Sequence, residues 1–456
     1  MKTEQMISRR NFLQLSASFG MLAGLGQLKL AQAAQVTDYK ALVCLFMFGG
    51  NDGHNLIVST SQAQYNAYLN ARGGVALPPN QLLAINDPVQ GPFGLHYAAP
   101  ELQALYNQGK LAILANVGIL VRPTTFADFQ AAFQLPTQLR SHSDQVNQMQ
   151  TGYPNTGGAT GWGGRTLDLM QTNNANTTFP VSIAMNAPAL YCAGAVVQPS
   201  SLQPGNYLSQ NALGIWPASA GQARLNAEQQ IIAASGGNQM IAAANKVMAD
   251  ALALNPLLQS AANSQAFTTQ FPSTQIGSQL KEVARFISLH SQLNVGRQVF
   301  FVSLGGFDTH SGQSYQQWDL LQQVSKAVAA FYSATVEMGI SDKVTTFTLS
   351  DFGRTLQPSG TGSDHGWGSH HLIVGGAVGG GKIYGQFPQM TNYATVSQAN
   401  STQQDFADNR GVLLPNLSLS QYGATLAKWF GAADAQLDGL FPTLPGFAVR
   451  DLGFMS

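Results

Sequence analysis

A chain of 456 residues, 45% of them hydrophobic, is long enough for two average domains or for one large α/β domain with insertions. Charged residues make up only 10%, far under the roughly 25% of a typical soluble protein, so Gln, Asn, Ser, Thr and Gly must dress the surface. The formal charge is zero and no basic stripe with interleaved aromatics occurs, which argues against a nucleic-acid partner and against attraction to anionic lipid.

The chain opens with a paired-arginine motif, SRRNFLQ at 8–14, followed by a modestly apolar stretch at 15–28 and by Ala31-Gln32-Ala33, a small-x-small cleavage site. That order predicts a twin-arginine signal peptide over residues 1–33. It also predicts contact with the twin-arginine translocation machinery during export, and a periplasmic or secreted destination. The apolar stretch is broken by Ser16, Ser18, Gln27 and several glycines and is short for a bilayer span of about 20 residues, so no stable membrane anchor is expected. Cleavage after Ala33 leaves 18 basic and 21 acidic residues, a net charge near −3. Cys44 and Cys192 are the only cysteines, few for an oxidising destination, and Cys44 lies in ALVCLFMF, a run apolar on both faces that reads as burying a free thiol.

Residues 34–456 read as a single domain. A first strand is predicted at 41–48, a continuous apolar run of the kind covered on both faces in parallel sheets, and it ends in FGGNDGHN (48–55). A helix at 100–108 and strands at 111–117 and 180–185 follow. From 202 to 279 the chain turns rich in Ala, Asn, Gln and Ser, with apolar residues at helical spacing, which predicts an inserted helical cap without internal repeats. The rhythm then resumes with a helix at 280–293, a strand at 299–304 ending in GGFDTH, and a helix at 315–338. A strand at 343–349 runs into LSDFGRT, and another at 372–378 follows SDHGWGSHH. Alternating strands and helices predict an α/β fold with a mostly parallel sheet and helices on both faces. Ligands of such sheets bind beyond the carboxyl ends of the strands, where Asp52, Asp308 and Asp351 would share one rim. GGAVGGGK (375–382) matches no phosphate-loop spacing, because Ile383 follows Lys382, and reads as a strand-to-strand connection.

Six of the eight histidines fall in four short segments beside aspartates: FGGNDGHN, RSHSDQ (140–145), GGFDTH and SDHGWGSHH. Carboxylate oxygen and imidazole nitrogen together form a ligand set for a divalent metal, with Zn²⁺ or Mn²⁺ favoured. Each motif alone has a plainer structural reading: Asn51-Asp52-Gly53 as a turn, Asp308 as a helix cap, and Arg354 as the partner of Asp351 or Asp364. Their joint occurrence at strand ends favours a shared metal site. Arg354 is also a candidate clamp for a substrate oxyanion. Ser141 and Ser143 are candidate nucleophiles or helix N-caps, and His142 a ligand or base. His54 is a candidate to orient Asp52. Of His370 and His371, strand alternation allows only one to face the site. His96 and His290 read as structural.

The blocks SRRNFLQ, LFMFGGNDGHN, RSHSDQVNQMQTG, GWGGRTLD, FDTHSGQ, LSDFGRT and SDHGWG, the last followed by LIVGGAVGGGKIYG, resemble one bacterial family over nearly the whole chain. It is the twin-arginine-exported family of the domain of unknown function fifteen hundred and one. That family resembles a branch of the alkaline phosphatase, sulfatase and phosphoglycerate mutase superfamily. The resemblance implies an alkaline-phosphatase-like fold, two metals about 4 Å apart, and hydrolysis of a small phosphate or sulfate ester by a metal-activated hydroxyl or thiol. By position, Asp52 would be the first-strand ligand, Asp308 and His310 the pair on one metal, Asp351 the aspartate of the second, and His365 the late histidine ligand. RSHSDQVNQMQTG has the outline of the sulfatase nucleophile segment, placing Ser141, Ser143 and His142 at its centre, but lacks that motif's Pro and Arg. Phe352 stands where the phosphatase pattern has a histidine, and Asp351 where the family usually has a glutamate. These departures favour an alternative, an exported binding or envelope-assembly protein with a degenerate site.

Overall fold

A computed structural model describes residues 38–155, 157–205, 217–234, 267–398 and 401–456, with isolated positions between 241 and 249. The expected signal peptide and most of the expected cap lie outside these residues. The strands are β1 (Lys40–Met47), β2 (Ile57–Ser59), β3 (Leu82–Asp87), β4 (Gly91–His96), β5 (Leu111–Gly118), β6 (Ser182–Met185) and β7 (Ser200–Leu202). There follow β8 (Arg297–Leu304), β9 (Val344–Ser350), β10 (Arg354–Ser359), β11 (Gly362–His365), β12 (Ser369–Gly375), β13 (Ile383–Tyr384) and β14 (Leu417–Ser418). The helices that matter here are α1 (Gln62–Arg72), α2 (Pro100–Asn107), α3 (His142–Thr151), α4 (Trp162–Asp168), α5 (Ala218–Ala233), α6 (Gln275–Ser288), α7 (Gln313–Glu337) and α8 (Leu419–Phe430).

The main sheet runs β13-β5-β12-β9-β1-β8-β6-β7, with β14 beside β5. β1 pairs in parallel with both β8 and β9, and every pairing in this sheet except those of β12 is parallel. The continuous apolar run of β1 is explained by its two covered faces. Leu42, Cys44 and Phe46 join one core cluster, with Trp162 and Leu167 of α4 and Leu426 of α8. Val43, Leu45 and Met47 join the other, with Leu102 of α2, Val283 of α6 and Leu321 of α7. The α/β fold with helices on both faces of a mostly parallel sheet is therefore as expected. Cys44 and Cys192 are both buried free thiols. Among the described residues, no helix is long and apolar enough to cross a membrane.

Two features differ from the sequence reading. β12 starts three residues before the expected strand and is antiparallel to both neighbours, because the chain enters it directly from the β10–β11 hairpin on the rim and must run back down the sheet. His370 and His371 are thus inside a strand, both fully buried. A small antiparallel sheet, β2-β4-β3, was not foreseen. Of the stretch read as a cap, the described part contains α5, and its expected end lies within α6, which starts at Gln275 behind the cap residue Thr274.

Candidate metal centre

The centre assembles at the carboxyl ends of β8, β1 and β9. β1 leaves the sheet through Gly49 and Gly50 at φ 114° and 85°, a backbone region that favours glycine. Space demands glycine as well: a Cβ on Gly49 would overlap the Asp308 amide, and one on Gly50 would lie 2.6 Å from the Phe352 ring. This close approach brings Asp308 and His310, after β8, against Asp351, after β9. His365 closes β11 opposite Arg354 of β10. His142 is the first residue of α3, whose entry is set by Arg140: φ is 72° there, and its guanidinium holds Asp408 at 2.6 Å.

Three imidazoles and a carboxylate converge. His142 Nε2 lies 3.1 Å from His365 Nε2, and Asp308 Oδ1 lies 3.4 Å from each of them. His310 Nε2 adds a further approach, 2.9 Å from His365 Nε2 and 3.0 Å from Asp308 Oδ1. The outer nitrogens decide what faces the middle. His365 Nδ1 is 2.8 Å from the carbonyl of Arg140, which can only accept, so Nδ1 carries the proton and Nε2 keeps its lone pair. His142 Nδ1 is 2.7 Å from Asp351 Oδ2, whose other oxygen accepts from the Gly49 amide at 3.0 Å, so the neutral His142 ring has the same tautomer. With both rings neutral, two nitrogen lone pairs and a carboxylate oxygen point at one another, an arrangement that repels unless a cation lies between them.

That donor set fits a divalent ion. Two ligands on a tetrahedral Zn²⁺ with bonds near 2.0 Å are about 3.3 Å apart, close to the 3.1, 3.4 and 3.4 Å separations of His142, His365 and Asp308. Asp364 joins a second grouping with His310 and His365, its carboxylate 3.9 Å from His310 Nδ1. Burial opposes the charge of Asp308, but the hydrogen bond and charge of Arg354, with His142 and His310 beside it, hold its carboxyl below the ordinary range. For Asp364 burial is likewise outweighed, by Arg410 and the His365 amide, and its carboxyl falls to about 2. Burial raises Asp351 and lowers His365.

Of the residues singled out in the sequence, Asp308, His310, Asp351, His365 and His142 meet here. Asp52 does not: its carboxylate is buried against Arg72 and Gln313 and joins neither donor group. Arg354 is unsuited to clamp a substrate. Its side chain is fully buried and donates to the carbonyls of Gly49, Gly50, Phe307 and Ser363 and, at 2.5 Å, to Asp308. Its ion-pair partner is Asp308, not Asp351 or Asp364. Ser141 is the N-cap of α3 by position, yet its hydroxyl donates to Asp144 at 2.6 Å rather than capping an amide, while Ser143 is exposed and 3.3 Å from the same carboxylate. Neither His370 nor His371 faces the centre: the first accepts from the Asn116 amide and stacks on Phe387, and the second packs beside Tyr422. Phe352 had no anticipated role, and its ring lies against those of His142 and His365.

A family model described as a protein of unknown function (DUF1501) matches residues 39–437, which span the whole centre. The chain belongs to the DUF1501 family. Among solved structures, this DUF1501 protein is similar to the C-terminal periplasmic domain of EcEptC from Escherichia coli in complex with Zn, at 11% identity and a TM-score of 0.32, covering 85% of this chain and 82% of that one. It is also similar to the PsFucS1 sulfatase from Pseudoalteromonas sp., at 11% identity and 0.31, covering 87% and 75%. A third likeness is to the phosphonate monoester hydrolase of Agrobacterium radiobacter, at 11% identity and 0.29, covering 77% and 71%. No curated protein matches the chain. Likenesses at this level say nothing of the reaction, which has to be argued from the centre itself.

Proposed function

We propose that this DUF1501 protein is an exported metal-dependent hydrolase that acts on a small phosphate or sulfate ester. The observation that carries the reading is the convergence of His142 Nε2, His365 Nε2 and Asp308 Oδ1, with the outer nitrogens of both rings already engaged by Asp351 and the Arg140 carbonyl. These three residues would hold Zn²⁺ or Mn²⁺, with His310 beside them. When bound, such an ion supplies Lewis-acid polarisation of an ester oxygen and lowers the pKa of a hydroxyl. The chain's own residues do the rest. Asp351 fixes the tautomer and aim of His142, and the Arg140 carbonyl does the same for His365. Arg354 keeps Asp308 ionised and in place. The side chains of Asp308 and His310 are each 46% exposed, so an ester would approach from their side. Ser141 offers a nucleophile: as its Oγ attacks phosphorus or sulfur its proton passes to Asp144 Oδ2 and on to the departing ester oxygen, and a water that gives its proton to Asp144 then displaces the serine, which takes that proton back as phosphate or sulfate leaves.

A second reading, a metal-containing but non-catalytic exported binding or envelope-assembly protein, is favoured by two observations. All the Arg354 contacts are to protein oxygens, and both serines face Asp144. Metal analysis of protein purified after native export, combined with a panel of aryl phosphate and aryl sulfate esters, separates the two. The hydrolase reading expects bound Zn or Mn and turnover of one ester class, lost by at least about 100-fold in Asp308→Asn with an unchanged circular dichroism spectrum. Metal-free protein of intact fold would overturn the metal centre, and metal-loaded protein inert on the panel would leave the binding reading. Export itself is tested by replacing Arg9 and Arg10 together with lysine, which should retain the precursor in the cytoplasm.

A further inference from the structure

We infer that Asp52 is not a metal ligand in this protein and that the centre holds a single divalent ion, because the guanidinium of Arg72 already supplies the cation that Asp52 requires. The inference rests on the metal-dependent reading above and concerns which residues serve the ion and how many ions there are.

Asp52 and Arg72 are both buried, at 1% and 0% exposure, so each charge must be answered inside the protein. Asp52 Oδ1 accepts from the His54 amide at 3.0 Å, capping the single turn Gly53–Leu56, and Oδ2 accepts from Arg72 and from Gln313. Arg72 in turn donates to Asn55 Oδ1 at 3.1 Å and to the carbonyls of Thr355 and Leu356 at 2.8 and 3.0 Å. A carboxylate, a side-chain amide oxygen and two carbonyls are a hard oxygen cage of the kind that binds a divalent cation. Here the cage closes on a guanidinium that is covalently part of α1 and cannot diffuse away. For a metal to take Asp52, Arg72 would have to remain buried with its charge unpaired, which is the costly way to break a buried pair.

The second carboxylate that a two-metal arrangement would need is equally engaged. Asp351 accepts from the Gly49 amide through one oxygen and from His142 through the other. Among the described residues, both groupings able to hold an ion contain His365, so they describe one centre and not two. Asp52 acts on that centre at a distance. Gln313, which donates to it, also accepts from Ser363 Oγ at 2.5 Å, two residues before His365 in β11. The Arg72–Asp52–Gln313–Ser363 chain thus braces the strand that presents His365, which makes Asp52 a positioning residue.

The test is metal stoichiometry by elemental analysis, with zinc affinity from competition against a chromophoric chelator, on natively exported protein and on folded variants. Wild type should carry one ion per chain. The double variant Asp52→Asn/Arg72→Met, which removes both buried charges together and so avoids stranding either, should still carry one ion. Its zinc affinity should fall by no more than the roughly 10- to 100-fold expected of a residue that supports a ligand from outside the ligand set. Asp308→Asn should carry none. Single Asp52→Asn should lose thermal stability while its folded fraction keeps its ion. Two ions per wild-type chain would overturn this inference and leave the metal-dependent reading standing, as would a folded double variant that has lost its ion. A wild type of intact fold with no ion would overturn both.

Discussion

Phe352 shows how one side chain can set a cluster of imidazoles without adding a nitrogen to it. Its ring centroid is 4.7 Å from that of His142 and 4.8 Å from that of His365, so it forms a wall against which both imidazoles rest. Where a histidine would add a ligand, this phenylalanine adds rigidity and removes water from one side of the rings. Phe352→Ala is expected to loosen both imidazoles and lower zinc affinity about 10- to 100-fold, the range seen when support of a ligand is lost. Chelator competition would measure it, and an unchanged affinity would show that the wall is dispensable. Asp308, Asp351 and the converging histidines stood out in the sequence because polar pairs at the ends of apolar runs have few structural explanations in common, whereas Asp364 read only as a partner for Arg354. The parts played by Arg354, Arg72 and Phe352 were not. Arg354 answers Asp308, which is 46 positions away, and Arg72 reaches Thr355 across 283 positions, and nothing local marks either partnership.

At the scale of elements, apolar runs placed the central strands other than β12 to within two residues, since a strand covered on both faces has little latitude in its composition. Direction is another matter. A fully buried strand such as β12 reads the same whether it runs up or down the sheet, so its antiparallel course, and the burial of His370 and His371 that comes with it, had no signature. The β2-β4-β3 sheet was hidden for a related reason: β4 opens with Gly91-Pro92, a turn signal, and β3, LLAIND, does not alternate apolar with polar residues. The glycines after β1 could be read only as a turn, whereas the structure gives them a second duty as the contact surface for the β8 loop. Gly49→Ala tests that duty. The new methyl meets the Asp308 amide in a backbone conformation that disfavours any side chain, so a loss of about 1–3 kcal/mol in urea unfolding is expected. The displaced Asp308 should also weaken metal binding. Loss of stability with intact metal affinity would confine the role of Gly49 to the turn.

At the scale of the whole molecule, histidines serve two opposed purposes, and pH separates them. Away from the convergent nitrogens, burial pushes His54 and His96 down to about 4 and His371 to about 3. In the unfolded chain these rings titrate near 6.5. Above that value they are neutral in both states and cost nothing. Between about pH 6.5 and 4 the unfolded chain binds protons that the folded chain refuses, so stability must fall as the pH falls across that window, and the loss levels off once the folded rings protonate. A tenfold difference in proton affinity between the folded and unfolded chain is worth roughly 1.4 kcal/mol, so the three rings together set an acid sensitivity of several kcal/mol in order of magnitude. Glu282, Asp351 and Asp405, raised by burial, act in the opposite sense. His96 isolates the effect, because it lies in the small β2-β4-β3 sheet, and its Nδ1 only accepts from the Ala98 amide at 3.1 Å, a bond that an asparagine oxygen can replace. Urea unfolding at pH 7, 5.5 and 4.5, with chelator throughout to remove the separate proton dependence of metal binding, should show a shallower decline for His96→Asn than for wild type. Parallel declines would mean that the acid sensitivity comes from other groups.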